Sequence, residues 1–266
     1  LPPGRLGEFH NTLEKLEHRA LMRDGQWPGQ GTGCEYCRDI EVAGGVSDRI
    51  RNLEMVATES EHAARIPPQL LDDPATLAVS PTMLEVYFSN VCNMSCLYCG
   101  PEYSTLWIAE NRTHGQLPHH QGRLNHYQAQ GLDREYPGRL AELWAWLEAN
   151  HTTLRMLNVL GGEPFYQRET EQMIAFLHEH PSPNLDLKIF TNLKVEPRKF
   201  ARLLTQLKGL LDGGKCRSVG IVASLDCWGP EQEYVRWGLN LVAWGRMLRR
   251  QDRSSGVSPL SGFHRS

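Results

Sequence analysis

Four short apolar runs stand out along the chain: MLEVYFSNV (83–91), LRMLNVLGG (154–162), LDLKIFTN (185–192) and SVGIVASLD (218–226). Each is rich in β-formers and ends in turn-forming residues, the pattern of a strand. Between the second and third lies RETEQMIAFLHEH, with Met173, Ile174, Phe176 and Leu177 on one helical face. Between the third and fourth lies EPRKFARLLTQLKGLLDGG, which Pro197 and Gly213 delimit as the start and stop of a helix. Strand–helix–strand alternation of this kind predicts parallel βαβ units with right-handed connections. The sheet is expected to curl towards a barrel or a doubly wound form.

The other stretches are less regular. Residues 5–24 place Leu6, Phe9, Leu13, Leu16 and Leu21 at near-helical spacing, and the glycine-rich GQWPGQGTG ends that helix. Residues 52–80 read as irregular. The first connection, 100–153, is far longer than the rest and holds one clear helical pattern, GRLAELWAWLEAN (138–150). A polar, histidine-bearing segment precedes it, and a loop of that length reads either as a functional lid or as a disordered insertion. After residue 245 the βα periodicity stops, and QDRSSGVSPLSGFHRS reads as disordered. The expected organisation is an N-terminal extension (1–80), an α/β core (81–245) and a tail (246–266).

Composition narrows the function classes. The 266 residues are 40% apolar and carry a net charge of −3, so no basic field argues for nucleic acid as a partner. No apolar run reaches the length of a membrane helix, and the polar start LPPGRLGEFHNTLEKLEHRA does not resemble a signal peptide. The first residue is Leu1 rather than Met, which suggests that the natural start lies upstream. Seven cysteines without a secretory signal argue against a disulfide framework and for thiolates in a reducing cytoplasm.

Three of those cysteines, Cys92, Cys96 and Cys99, form C-x3-C-x2-C just past the first strand. In parallel α/β folds the C-terminal strand edge is where sites are built. Thiolates are the soft ligands that iron–sulfur clusters use, and three of them leave one iron of a four-iron cluster open. The alternatives are three core cysteines on a turn, or a zinc site completed by a distant residue. Cys34 and Cys37 form a separate C-x2-C with no second pair to complete it. It reads either as two partly buried thiols or as an auxiliary zinc or cluster site.

The stretch CNMSCLYC (92–99) resembles the C-x3-C-x-Φ-C signature of the radical S-adenosylmethionine (SAM) superfamily, with Tyr98 in the aromatic position. The resemblance implies a [4Fe–4S] cluster on Cys92, Cys96 and Cys99, its fourth iron chelated by SAM. It also implies cleavage of SAM to methionine and a 5′-deoxyadenosyl radical, with a flavodoxin- or ferredoxin-type reductant. LGGEP (160–164) resembles the motif that binds the SAM amino group, which would make Gly161, Gly162 and Glu163 cofactor-binding. The glycines would let backbone approach the ligand, and the carboxylate would meet an ammonium. At the third and fourth strand ends, Thr191, Asn192, Ser224 and Asp226 occupy positions where relatives contact SAM.

SLDCWGPEQEYVRWG (224–238) resembles a stretch of twitch- or SPASM-containing members, which are related to peptide-modifying enzymes. CEYCRDIEVAGGVSDRIRNLE (34–54) is similar to an N-terminal element of many twitch-type proteins, often of phage-like origin. The resemblance spans roughly residues 30–245 and implies a partial (β/α)6 barrel, of which about four βα units are legible. The chain is therefore expected to be truncated or frameshifted near residue 246. The function expected is a radical SAM enzyme acting on a peptide or another, unidentified substrate. No residue is assigned as radical acceptor or general base. A small-molecule enzyme resembling 7-carboxy-7-deazaguanine synthase is the nearer alternative. The alternative from another class is an iron–sulfur or zinc module without SAM chemistry.

Overall fold

The computed structural model describes residues 6–58, 79–120, 132–254 and 258–260. The chain divides into two compact units, Leu1–Ser80 and Pro81–Ser266.

In the first unit a 3-10 turn, Leu6–Asn11, precedes helices α1 (Leu13–Arg23), α2 (Glu35–Val42) and α3 (Asp48–Thr58). The continuous helix expected over 5–24 is thus broken. Thr12 caps α1 by accepting a hydrogen bond from the Lys15 amide, which requires an extended backbone at that point. Neither α1 nor α2 buries a side chain fully. Polar contacts join α2 to α3, where Arg49 and Ser47 both bind the Glu41 carboxylate.

The second unit is built on a parallel sheet. Its strands are β1 (Met83–Tyr87), β3 (Met156–Leu160), β4 (Ser182–Thr191), β5 (Cys216–Ala223) and the short β7 (Ser258–Leu260), which lie side by side in that order. All four neighbouring pairs are parallel. Two-residue strands β2 (Ser95–Cys96) and β6 (Arg236–Trp237) form a separate antiparallel bridge. The protein is therefore α/β with a parallel sheet in which β1 and β7 are the edges, and among the described residues no closed barrel forms.

The four apolar runs supply the four longer strands, and their central side chains make the core. Leu157, Val159, Leu187, Ile189 and Ile221 are fully buried. Helices α4 (Thr105–His114) and α5 (Leu132–Asn150) fill the long first crossover, α6 (Arg168–Glu179) the next, and α7 (Pro197–Asp212) the third. Helices α8 (Pro230–Val235) and α9 (Leu241–Ser254) follow β5. Glu196 caps α7 through the Arg198 and Lys199 amides, and Pro197 occupies the first turn, where a missing N–H costs nothing. Phe200, Leu203, Leu204, Leu207 and Leu210 recur at helical spacing and are all buried. Each such side chain contributes about 1.5–3 kcal/mol by leaving water.

Two expectations change. The crossover before β3 is not simply an insertion: helix α4 and a 3-10 turn, Pro118–His120, occupy its first part, while residues 121–131 lie outside those described. Helix α4 carries little amphipathic periodicity, so its sequence did not announce it. Beyond residue 246, where the pattern predicts disorder, α9 continues to Ser254 and β7 pairs with β5. A three-residue strand gains its order from the backbone of its neighbour, which no alternation of side chains advertises. Residues 255–257 and 261–266 of the expected tail lie outside those described.

Replacing Leu207 with Ala should cost about 2–5 kcal/mol in urea denaturation, because a fully buried side chain leaves a cavity. Lys208→Ala one residue on should stay within about 0.5 kcal/mol, since its ion pair with Asp212 is exposed.

Candidate functional site

The site is assembled where the expected strand edge places it, after β1, β3, β4 and β5. Its centre is one carboxylate. Glu163 follows Gly161–Gly162 and is completely buried. Its Oε1 accepts from the Thr191 hydroxyl at 2.7 Å and the Phe165 amide at 3.1 Å, and its Oε2 accepts from the Asn192 amide at 2.7 Å. Its own amide donates to the Val91 carbonyl at 2.8 Å. One residue thus ties the end of β3 to the end of β4 and to the cysteine-bearing loop.

The glycines before it serve the same junction. A Cβ on Gly162 (φ +37°) would lie 2.3 Å from the Val91 carbonyl oxygen, and a Cβ on Gly161 (φ +86°) would press on Ser89 and Tyr87. The close approach that requires glycine is therefore to the chain's own backbone. Gln167, also buried, bridges the Ser89 and Gly161 carbonyls through its amide nitrogen. Within the GGE segment, the Glu163 carboxylate and amide and the Gly161 carbonyl have internal partners.

The cysteine loop is held by its carbonyls. The Thr105 hydroxyl donates to the Cys92 carbonyl at 3.1 Å, and Trp107 Nε1 donates to that of Cys96 at 2.9 Å. His120 Nε2 lies 3.0 Å from the carbonyl of Cys99. The carbonyl can only accept, so Nε2 carries the proton there. The buried His120 ring also packs edge-on against Trp107. None of these three residues was legible as part of the site, because each acts through a main-chain atom and belongs to no motif. Ser104 adds a fourth tie, donating to the Met94 carbonyl at 2.6 Å while capping α4.

With the backbone fixed from outside, the thiols sit in one another's electrostatic field. Burial pushes Cys92 up to about 11, and the Glu163, Cys96 and Cys99 charges add to that effect against the Met94 amide. Burial also raises Cys96, with Arg236 opposing it and Cys99 reinforcing it. All seven cysteines are free thiols. Among the described residues, no three His, Cys, Asp or Glu side chains converge as ligands of a metal ion. Cys34 and Cys37, at the start of α2, likewise gather no further ligands into an auxiliary site among those residues.

The remaining expected residues support the loop. Asn192 Nδ2 donates to Asn93 Oδ1 at 3.0 Å and lies 3.8 Å from Cys92 Sγ. Thr191 is spent on Glu163 and on the Leu193 amide. Leu193 is buried at φ 56°, a left-handed conformation that costs a leucine about 1–2 kcal/mol. The Ser224 amide donates to the Thr191 carbonyl at 2.9 Å. Asp226 binds Arg236 at 2.6 Å and accepts from the Tyr98 hydroxyl at 3.1 Å, while the Arg236 guanidinium stacks over the Tyr98 ring. Arg236 Nη1 lies 4.0 Å from Cys96 Sγ. Tyr98, Asp226 and Arg236 thus form a clamp across the loop, and Arg236 is a site residue that the cysteine motif alone does not reveal.

Two outcomes test this geometry. Gly162→Ala should destabilise the protein by about 2–4 kcal/mol, because the added carbon meets backbone rather than a movable side chain. Burial raises Glu163 to about 7, with the Asn192, Thr191 and Phe165 hydrogen bonds and the Arg236 charge opposing it. The folded state then holds a proton that the unfolded state releases above 4.5, so stability should fall as pH rises from about 4.5 to 7 and then level off. The contribution is on the order of 3 kcal/mol, read as a falling Tm; in Glu163→Gln that slope should flatten.

No family model, curated protein or solved structure matches the chain.

Proposed function

We propose that the protein is a radical SAM enzyme that binds a [4Fe–4S] cluster through Cys92, Cys96 and Cys99. The observation that carries the reading is the C-x3-C-x2-C loop itself. It sits at the C-terminal edge of a parallel sheet, its backbone is pinned from outside, and its three thiols interact electrostatically. The donor set suits a cluster, since each thiolate takes a different iron and the three need not converge on one ion. When bound, the cluster supplies the electron that cleaves SAM reductively.

This chain's own residues then have definable tasks. Thr105, Trp107 and His120 hold the loop so that loading does not require refolding it. Cys92 must lose a proton to bind iron, and the nearby Asn192 amide stabilises the sulfur that results. Arg236, fixed by Asp226, places positive charge beside Cys96 and offsets part of the cluster's negative charge. The substrate is a peptide or another organic molecule.

A second reading is favoured by one observation. Glu163 and Gly161 already bind internal partners, so the GGE segment is explained without a ligand. On that reading the protein is a cluster-binding module without SAM chemistry.

One experiment separates the two. The protein is reconstituted anaerobically with iron and sulfide, reduced with dithionite and supplied with SAM. The enzyme reading expects brown absorbance and release of 5′-deoxyadenosine. A loaded cluster with no deoxyadenosine supports the module reading. Cys96→Ala should abolish the absorbance, and iron retained at the wild-type level would overturn the ligand assignment.

A further inference from the structure

A cleft of about 160 Å³ lies on the other side of the cysteine loop, lined by Ser95, Leu97, Trp107, Glu110, Tyr234 and Trp237. Side chains alternate across a strand. In the β2–β6 bridge, Cys96 pairs with Arg236 and Ser95 with Trp237. The Cys96–Arg236 face therefore belongs to the thiols, and the Ser95–Trp237 face belongs to the cleft.

Three features of the lining specify an occupant. Ser95 is only 2% exposed, and its hydroxyl has no hydrogen-bond partner. A buried hydroxyl left this way is costly, and a donor seated in the cleft would offset that cost. Glu110 is the one charged residue in the lining, and its ion pair is a long one, 3.7 Å to the exposed His114. The other walls are aromatic except for Leu97. Trp107 spends its N–H on the Cys96 carbonyl, and Tyr234 and Trp237 are 68% and 62% exposed.

We propose that this cleft receives the side chain of a lysine or arginine presented by another polypeptide. The aliphatic stem packs on the tryptophans, the cation meets aromatic faces and Glu110, and one of its N–H groups donates to Ser95 Oγ. A neutral apolar side chain leaves the Ser95 hydroxyl without a donor and brings no charge to Glu110, and a quaternary ammonium has no N–H to give Ser95. An anion is repelled by Glu110. The volume suits one side chain, well below the roughly 300–1,000 Å³ of a small-molecule pocket. Exposed tryptophan and tyrosine at the rim are the residue types on which protein partners anchor. The cleft needs neither cluster nor SAM, so it stands apart from the enzyme reading.

The test uses the full chain without cluster and the peptide acetyl-Gly-Gly-Arg-Gly-Gly-amide or its lysine counterpart, followed by tryptophan fluorescence and calorimetry. Saturable binding is expected with either basic peptide. The norleucine and trimethyl-lysine versions should bind at least about tenfold more weakly. Glu110→Gln, a change at a partly exposed position, should weaken the basic peptides about tenfold, and Ser95→Ala by a few-fold, with circular dichroism confirming that both variants are folded. The proposal is overturned if norleucine or trimethyl-lysine peptides bind equally well. Unchanged affinity in folded Glu110→Gln, or no saturation of the folded wild type by about 10 mM peptide, would also overturn it.

Discussion

The buried carboxylate of Glu163 is the constraint on which the rest of the site depends. Placing a carboxylate where no water reaches it is costly, and the cost is offset only if neighbouring donors are held in place. Here those donors are the Thr191 hydroxyl and the Asn192 and Phe165 amides. Strand β4 must therefore end where it does, and the chain must turn sharply after Gly162. The Glu163 amide transmits the same constraint to Val91, immediately before Cys92. Leu193 at positive φ follows from it too, since its amide is drawn onto Thr191.

A second principle governs the cysteine loop: its anchors grip carbonyls and leave the sulfurs for other work. Thr105, Trp107 and His120 come from the long first crossover, and each reaches one cysteine's main chain. From the opposite side, Arg236 is steered by Asp226 and stacked on Tyr98, which brings a cation towards Cys96. The loop is pinned between these two sets of contacts. Its two faces differ accordingly, with thiols and charge on one and an aromatic cleft on the other.

Much of the sheet was legible in the sequence because its strands carry short apolar runs with buried centres, as in MLNVL of β3 and LKIFT at the end of β4. Helices α6 and α7 were legible for a similar reason, since each presents one continuous apolar stripe. Helix α4 was not, because Trp107 and Asn111 are its only buried residues and make no such stripe. The cysteines were conspicuous by their spacing, whereas Thr105 and His120 were invisible, being ordinary residues far from the motif. Thr191, Asn192, Ser224 and Asp226, expected as ligand contacts, also brace the loop and one another. The same strand-end position serves either purpose, and residue type does not distinguish them.

By itself the sequence determined the α/β class, the order of the four longer strands along the chain and the presence of a thiol-rich loop at a strand edge. Those features follow from local periodicity and spacing, which need no partner to be read. Only the tertiary structure decided that the GGE glycines meet the backbone near Val91, that Glu163 is satisfied internally, and that a histidine from residue 120 supports Cys99. Each of these depends on a contact between segments distant in sequence. Such contacts are set by how the crossovers pack around the sheet, and no local pattern records them.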